Sequence, residues 1–145
     1  MRLTDDQFSE YLLAADSNQS NSIRILRSFL LECEPNLHES ICTDKWFNGL
    51  IVFSMENGTM VYALGPRSGG KTTFHMMPYY CNATMQQRHG EALKKFMTGK
   101  SCLSCKDASE LPFDALREIV TGGTANVQKA LAALDESRKS KKKKS

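Results

Sequence analysis

Gly65-Pro66-Arg67-Ser68-Gly69-Gly70-Lys71-Thr72 matches the phosphate-binding pattern G-x-x-x-x-G-K-[ST] at every fixed position. Such a loop cradles phosphates only when a strand delivers it to a helix N-terminus, whose free N–H groups and dipole hold the anion. Cys102-Leu103-Ser104-Cys105 has the C-x-x-C spacing of a redox pair or half a zinc site. On a strand, however, residues three apart face opposite sides, so the two sulfurs would not converge on one metal. Cys81, His75 and His89 are the remaining conceivable ligands, and none has paired spacing with another. His75 reads as a residue filling or rimming a sheet face, with no nucleophile evident beside it in the sequence. His38 takes the same reading. Trp46, Tyr79 and Tyr80 are large aromatics near strand ends, where they pack or line a pocket.

The elements that would position these residues argue against the nucleotide reading. Thr72 to Met77 is β-branched and aromatic and then meets Pro78, so no helix of two turns can start at Lys71. Pro66 removes one donor from the loop. Leu50 to Met55 and Thr59 to Leu64 are β-prone runs joined by Asn57-Gly58, which predicts a hairpin with a type I′ turn. Gly65 to Lys71 is thereby expected to be a flexible connection between strands. Glu56, at the hairpin turn, is no substitute for the magnesium-orienting Asp of a P-loop enzyme.

Upstream, Thr4 and Gln7 have capping-box spacing before Phe8, Tyr11, Leu12 and Ala15, predicting a first helix. Asn18 to Asn21 reads as a polar break. Ile23, Leu26, Leu30 and Cys33 then form the stripe of a second helix that Pro35 stops. Leu37 to Trp46 is expected to be a strand leading into a turn at Asn48-Gly49. Downstream, Asn82 caps a helix over residues 83–96, with Gly90 as a candidate break inside it, and Cys102 to Cys105 is a further strand. Pro112 opens another helix, Gly122-Gly123 stop it, and Thr124 caps a last one. The expected fold class is α+β, a two-layer domain with an antiparallel sheet of about five strands covered by helices.

With 145 residues, the chain suffices for one domain, expected over residues 1–136. The formal charge of +3 comes from Arg138, Lys139, Lys141, Lys142, Lys143 and Lys144; the body is mildly acidic. Residues 137–145 are therefore expected to form a disordered basic tail, open to weak non-specific contact with nucleic acid. There is no long apolar run and no apolar signal region at the start, and the five cysteines are an odd number. These features predict a cytoplasmic protein with free thiols and no membrane partner.

Thr73-Phe74-His75-Met76-Met77-Pro78-Tyr79, Leu93-Lys94-Lys95-Phe96, Gly99-Lys100-Ser101-Cys102-Leu103 and Leu111-Pro112 together resemble the YdhG-like family, domain of unknown function 1801. The resemblance covers about residues 20–122. It departs from the family at Lys45-Trp46-Phe47-Asn48-Gly49, where Lys-Trp-Gly-x-Pro is usual. It implies an α+β domain comparable to frataxin-like and secretion-chaperone-like layouts, with a loop between strands at Gly65 to Lys71 and no catalytic set to carry over. The expected function is a non-enzymatic binding module for a small molecule or a protein, without a cofactor. Its candidate binding residues are Trp46, Tyr62, His75, Tyr79 and Lys100. The alternative is a metal-handling protein, for which Asp5, Asp6, Glu10 and Asp16 are the one dense acidic group. A P-loop nucleotide binder is the disfavoured third reading.

Overall fold

The hydroxyl of Thr4 accepts the Gln7 N–H at 3.1 Å while the Gln7 side chain accepts the Thr4 N–H at 2.8 Å. This reciprocal cap satisfies two otherwise unpaired donors and starts α1, Asp5–Leu12. Asp16 and Gln19 repeat the device at 2.7 and 3.0 Å, so α2 runs Ser17–Cys33. The expected polar break at Asn18 to Asn21 is thus the first turn of α2. The structure, a computed structural model, describes residues 1–143.

Five strands follow: β1 His38–Ile41, β2 Ile51–Ser54, β3 Met60–Arg67, β4 Lys71–Met76 and β5 Cys102–Cys105. Each pairs antiparallel with its sequence neighbours in the order β1-β2-β3-β4-β5. Between β4 and β5 lie α3, Met77–Tyr80, and α4, Ala83–Leu93; after β5 come α5, Phe113–Val120, and α6, Gly123–Lys143. The chain is therefore an α+β protein with a meandering sheet, as expected.

Register separates the two faces of the sheet. Ile51, Leu64, Phe74 and Leu103 align across four strands, all fully buried. Glu39, Phe53, Tyr62 and Met76 form the adjacent row on that face. They join Ile23, Leu26, Leu30, Leu116, Ile119, Val120 and Val127 of the helices in one core. Burying side chains of this size contributes about 1.5–3 kcal/mol each before entropy opposes it. Glu39 is the exception in the apolar layer. Arg27 of α2 grips its carboxylate with two bonds of 2.6 and 2.8 Å, and the Leu3 N–H adds a third at 2.9 Å.

The opposite face carries the row Ser40, Val52, Ala63, His75 and Cys102. The β1–β2 segment covers part of it, with the Phe47 ring 5.0 Å from the His75 ring. Gly65 lies on this face too, under Tyr11 and Leu50.

Several boundaries differ from expectation for local reasons. Gly65 and Pro66 belong to β3 and pair with Thr73 and Thr72, leaving only the 3₁₀ turn Ser68–Gly70 between strands. Gly69 and Gly70 at φ +76° and +73° make that tight turn possible. In the β2–β3 hairpin only Gly58 has positive φ, so the connection is not type I′. The Gly58 N–H bonds Met55 O and the Met55 N–H bonds Thr59 O, closing a three-residue loop instead. Pro78 does not end β4; it sits in the first turn of α3, where its missing N–H costs no hydrogen bond.

Gly90 lies within α4 and leaves it undivided, and Asn82 caps it as expected. Pro112 is the N-cap of α5. Thr124 lies inside the first turn of α6, and both its N–H and its hydroxyl bond the Glu34 carboxylate. The helix continues to Lys143, through most of the segment expected to be disordered; residues 144–145 of that tail lie outside the described residues. Lys, Arg and Glu are good helix formers, so this extension has local propensity behind it.

The outer edges of the sheet are partly occupied. On β1, the Glu39 N–H bonds Met1 O at 2.8 Å. On β5, a bridge joins Met97 to Leu103, with the Ser104 N–H bonded to Phe96 O and the Thr98 N–H to Cys102 O.

Candidate functional site

Lys71 opens a strand, so the glycine-rich stretch lacks the helix that phosphate binding needs. Thr72, the motif's last residue, is fully buried on the core face, and its Oγ1 has no hydrogen-bond partner. It is out of reach of a ligand. Each fixed glycine has a packing or turn role, which accounts for the sequence match without a nucleotide.

A groove of about 440 Å³ opens where the α3–α4 excursion returns to the sheet, lined by Tyr79, Tyr80, Gln86, Met97, Gly99 and Lys100. The short helix α3 turns both tyrosines toward α4, and the Gln86 side chain ties the pieces together by donating to Tyr79 O at 3.0 Å and Tyr80 O at 3.1 Å. Tyr79 is buried, which pushes its phenol pKa up, whereas Tyr80 presents half its surface to solvent. No carboxylate lines the groove. Among the described residues Lys100 forms no ion pair.

One step along the chain from Lys100, Ser101 and Cys102 meet His75. Cys102 stands directly across the β4–β5 ladder from His75, with Sγ 3.0 Å from Nδ1, and Ser101 Oγ is 3.2 Å from the same nitrogen. Burial lowers the His75 pKa and raises that of Cys102, the latter opposed by the Ser101 hydrogen bond and the charge of Arg67. Both shifts favour the uncharged forms.

The candidate residues therefore separate. Tyr79 and Lys100 share the groove, and His75 lies on the sheet face next to the strand that follows Lys100. Trp46 is 80 % exposed on the β1–β2 segment whose next residue, Phe47, covers His75. Tyr62 is fully buried, its hydroxyl donating to Val120 O at 3.2 Å, and it belongs to the core. Burial of that phenol raises its pKa strongly.

Tyr80, Gln86, Phe47, Ser101 and Cys102 are not among the candidate binding residues, although Tyr80 is read as an aromatic that packs or lines a pocket and Cys102 as half of the C-x-x-C stretch. The view that no nucleophile stands beside His75 is corrected by Cys102. The register that joins them was hidden by the 27-residue separation, although the threonine-rich strand and the C-x-x-C stretch were both visible. The two cysteines of that stretch do face opposite sides: Cys105 is sealed on the core face with its pKa pushed up to about 11.

Among the described residues, no three or more His, Cys, Asp or Glu side chains are grouped to hold a metal ion. Asp5 and Asp6 sit in the first turn of α1 and Asp16 caps α2, which are roles the helix dipole explains. No described helix is long and apolar enough to cross a membrane. Comparison with family models, curated proteins and solved structures finds no match for the chain.

Proposed function

We propose that the chain is a YdhG-like binding module, not an enzyme, whose ligand is a small molecule with an anionic group and a flat apolar part. The observation that carries this reading is the convergence of Tyr79 and Tyr80 with Lys100 on one concave groove without a counter-charge. Lys100 supplies a compact positive charge for the anion, and the exposed ring of Tyr80 supplies a face for stacking. The element order supports the family resemblance, in which the segment before β5 carries the Gly-Lys-Ser sequence.

Calorimetric titration with a panel of aromatic carboxylates and phosphates tests it. Lys100→Glu and Tyr80→Ala should each weaken the best ligand by about tenfold or more, which is ~1.4 kcal/mol, while leaving the melting temperature unchanged. A panel without any binder, or affinity indifferent to both substitutions, overturns the reading.

A further inference from the structure

Cys102 is the one thiol with an imidazole at hydrogen-bond distance among the described residues. Cys105 is sealed and directs Sγ to Thr72 O, and Cys33 lies beside the Arg117 guanidinium at 3.8 Å. Cys42 and Cys81 are half-buried, and among the described residues neither thiol has a side-chain hydrogen-bond partner. When the Cys102 thiol donates into Nδ1, an acceptor it shares with the Ser101 hydroxyl at 3.2 Å, the ring proton of His75 sits on Nε2. That nitrogen has no protein partner among the described residues and is not among the atoms sealed from solvent. The imidazole is thus buried under Phe47 with Nδ1 on the thiol, and only its Nε2 edge is left unsealed.

Cys102 is also placed for access. It is the first residue of β5, half-buried, and directly follows the exposed Gly99-Lys100 segment. Arg67, on the same face of the sheet by register, exerts its charge on the thiol. The neighbourhood favours an incoming anion.

We propose that Cys102 and His75 form a thiol–imidazole couple that undergoes reversible exchange with a low-molecular-weight anionic disulfide. The Cys102 proton passes to His75 Nδ1 as Sγ attacks one sulfur of R–S–S–R. That S–S bond breaks, a Cys102–S–S–R bond forms, and the departing thiolate takes the proton from the imidazolium and leaves as RSH. The disulfide is the only oxidant required. In the resting pair both partners favour their uncharged forms, which protects the thiol until a disulfide is in contact. This proposal is independent of the groove and its ligand.

The test is incubation of the full chain with glutathione disulfide near neutral pH, with occupancy of each cysteine followed by peptide mass spectrometry. Cys102 should react about tenfold faster than Cys33, Cys42 or Cys81, and His75→Gln should slow Cys102 alone by a similar factor. A neutral disulfide, hydroxyethyl disulfide, should react more slowly than the anionic one, and Arg67→Gln, at an exposed site, should narrow that difference. A hydrogen bond that merely holds the ladder together would leave these rates equal. The proposal is overturned if Cys102 is no faster than the other half-buried thiols, or if a folded His75→Gln reacts at the wild-type rate. Should His75→Gln not fold, the ranking of the wild-type thiols and the Arg67→Gln comparison decide.

Discussion

The hydroxyl of Tyr11 occupies the place a side chain at Gly65 would need. A Cβ built at Gly65 would collide with that oxygen and come 2.7 Å from Leu50 Cδ2. The Tyr11 hydroxyl donates to Gly49 O at 2.6 Å, and burial holds its pKa up at about 12, so it stays a donor and moving it aside would break that bond.

Gly65→Ala is therefore expected to cost about 1–3 kcal/mol, as overpacking does, in urea denaturation. Lys71→Ala, at an exposed strand start, should change stability by less than about 0.5 kcal/mol. Equal effects of the two substitutions would show that the close packing at Gly65 is not what selects glycine.

Arg27→Met removes the cation from a carboxylate whose side chain is wholly inaccessible. It also removes the guanidinium stacked 4.2 Å from the Phe8 ring. A loss of about 3–5 kcal/mol follows from leaving Glu39 unpaired in the core. The double variant Arg27→Met, Glu39→Leu should recover most of that loss, because no buried charge is left. Thermal and urea unfolding of the three chains measure the difference.

His75 makes stability depend on pH with a definite sign. Burial lowers its pKa below the ordinary 6.5, so under mildly acidic conditions the unfolded chain binds the proton and the folded chain resists it. Its neutral form supports the fold fully above 6.5, and that support is lost as pH falls from there through the folded-state value. In His75→Gln this part of the slope should vanish. Urea titrations across mildly acidic and neutral pH read it directly.

Tyr62→Phe removes one buried hydroxyl and leaves Val120 O without its donor. About 1 kcal/mol of destabilisation is expected, with ligand affinity in the Tyr79–Lys100 groove unchanged. A large loss of affinity would instead join Tyr62 to the site.

Much of this architecture is legible where the signal is local. The Thr4–Gln7 box, the stop at Pro35, the Asn82 cap and the strands around Asn57-Gly58 depend on residues within a turn of one another. The Asp16–Gln19 box was equally available, but the polar run that follows it masked the start of α2. Phase across the sheet was not available in the same way. Alternation in β3 says that Tyr62 and Ala63 face opposite sides, but only the partner rows and α2 decide which side is the core. Tyr62 thus stands among the candidate binding residues although its ring lies in the core. Tyr79 and Lys100 were recognisable as chemistry, whereas their proximity depends on how α3 and α4 return the chain to β5. The one-turn helix α3 itself has too few residues to leave a periodic pattern.

The short stretches of chain laid along β1 and β5 have a consequence beyond the single molecule. A sheet with bare outer strands offers backbone donors and acceptors on which another copy can polymerise. Here an incoming strand would first have to displace Met1 from Glu39 on one side, or Phe96 and Thr98 from Ser104 and Cys102 on the other. These few bonds are expected to hinder edge-to-edge growth, and trimming the first residues should bare the β1 edge and raise aggregation, read by light scattering.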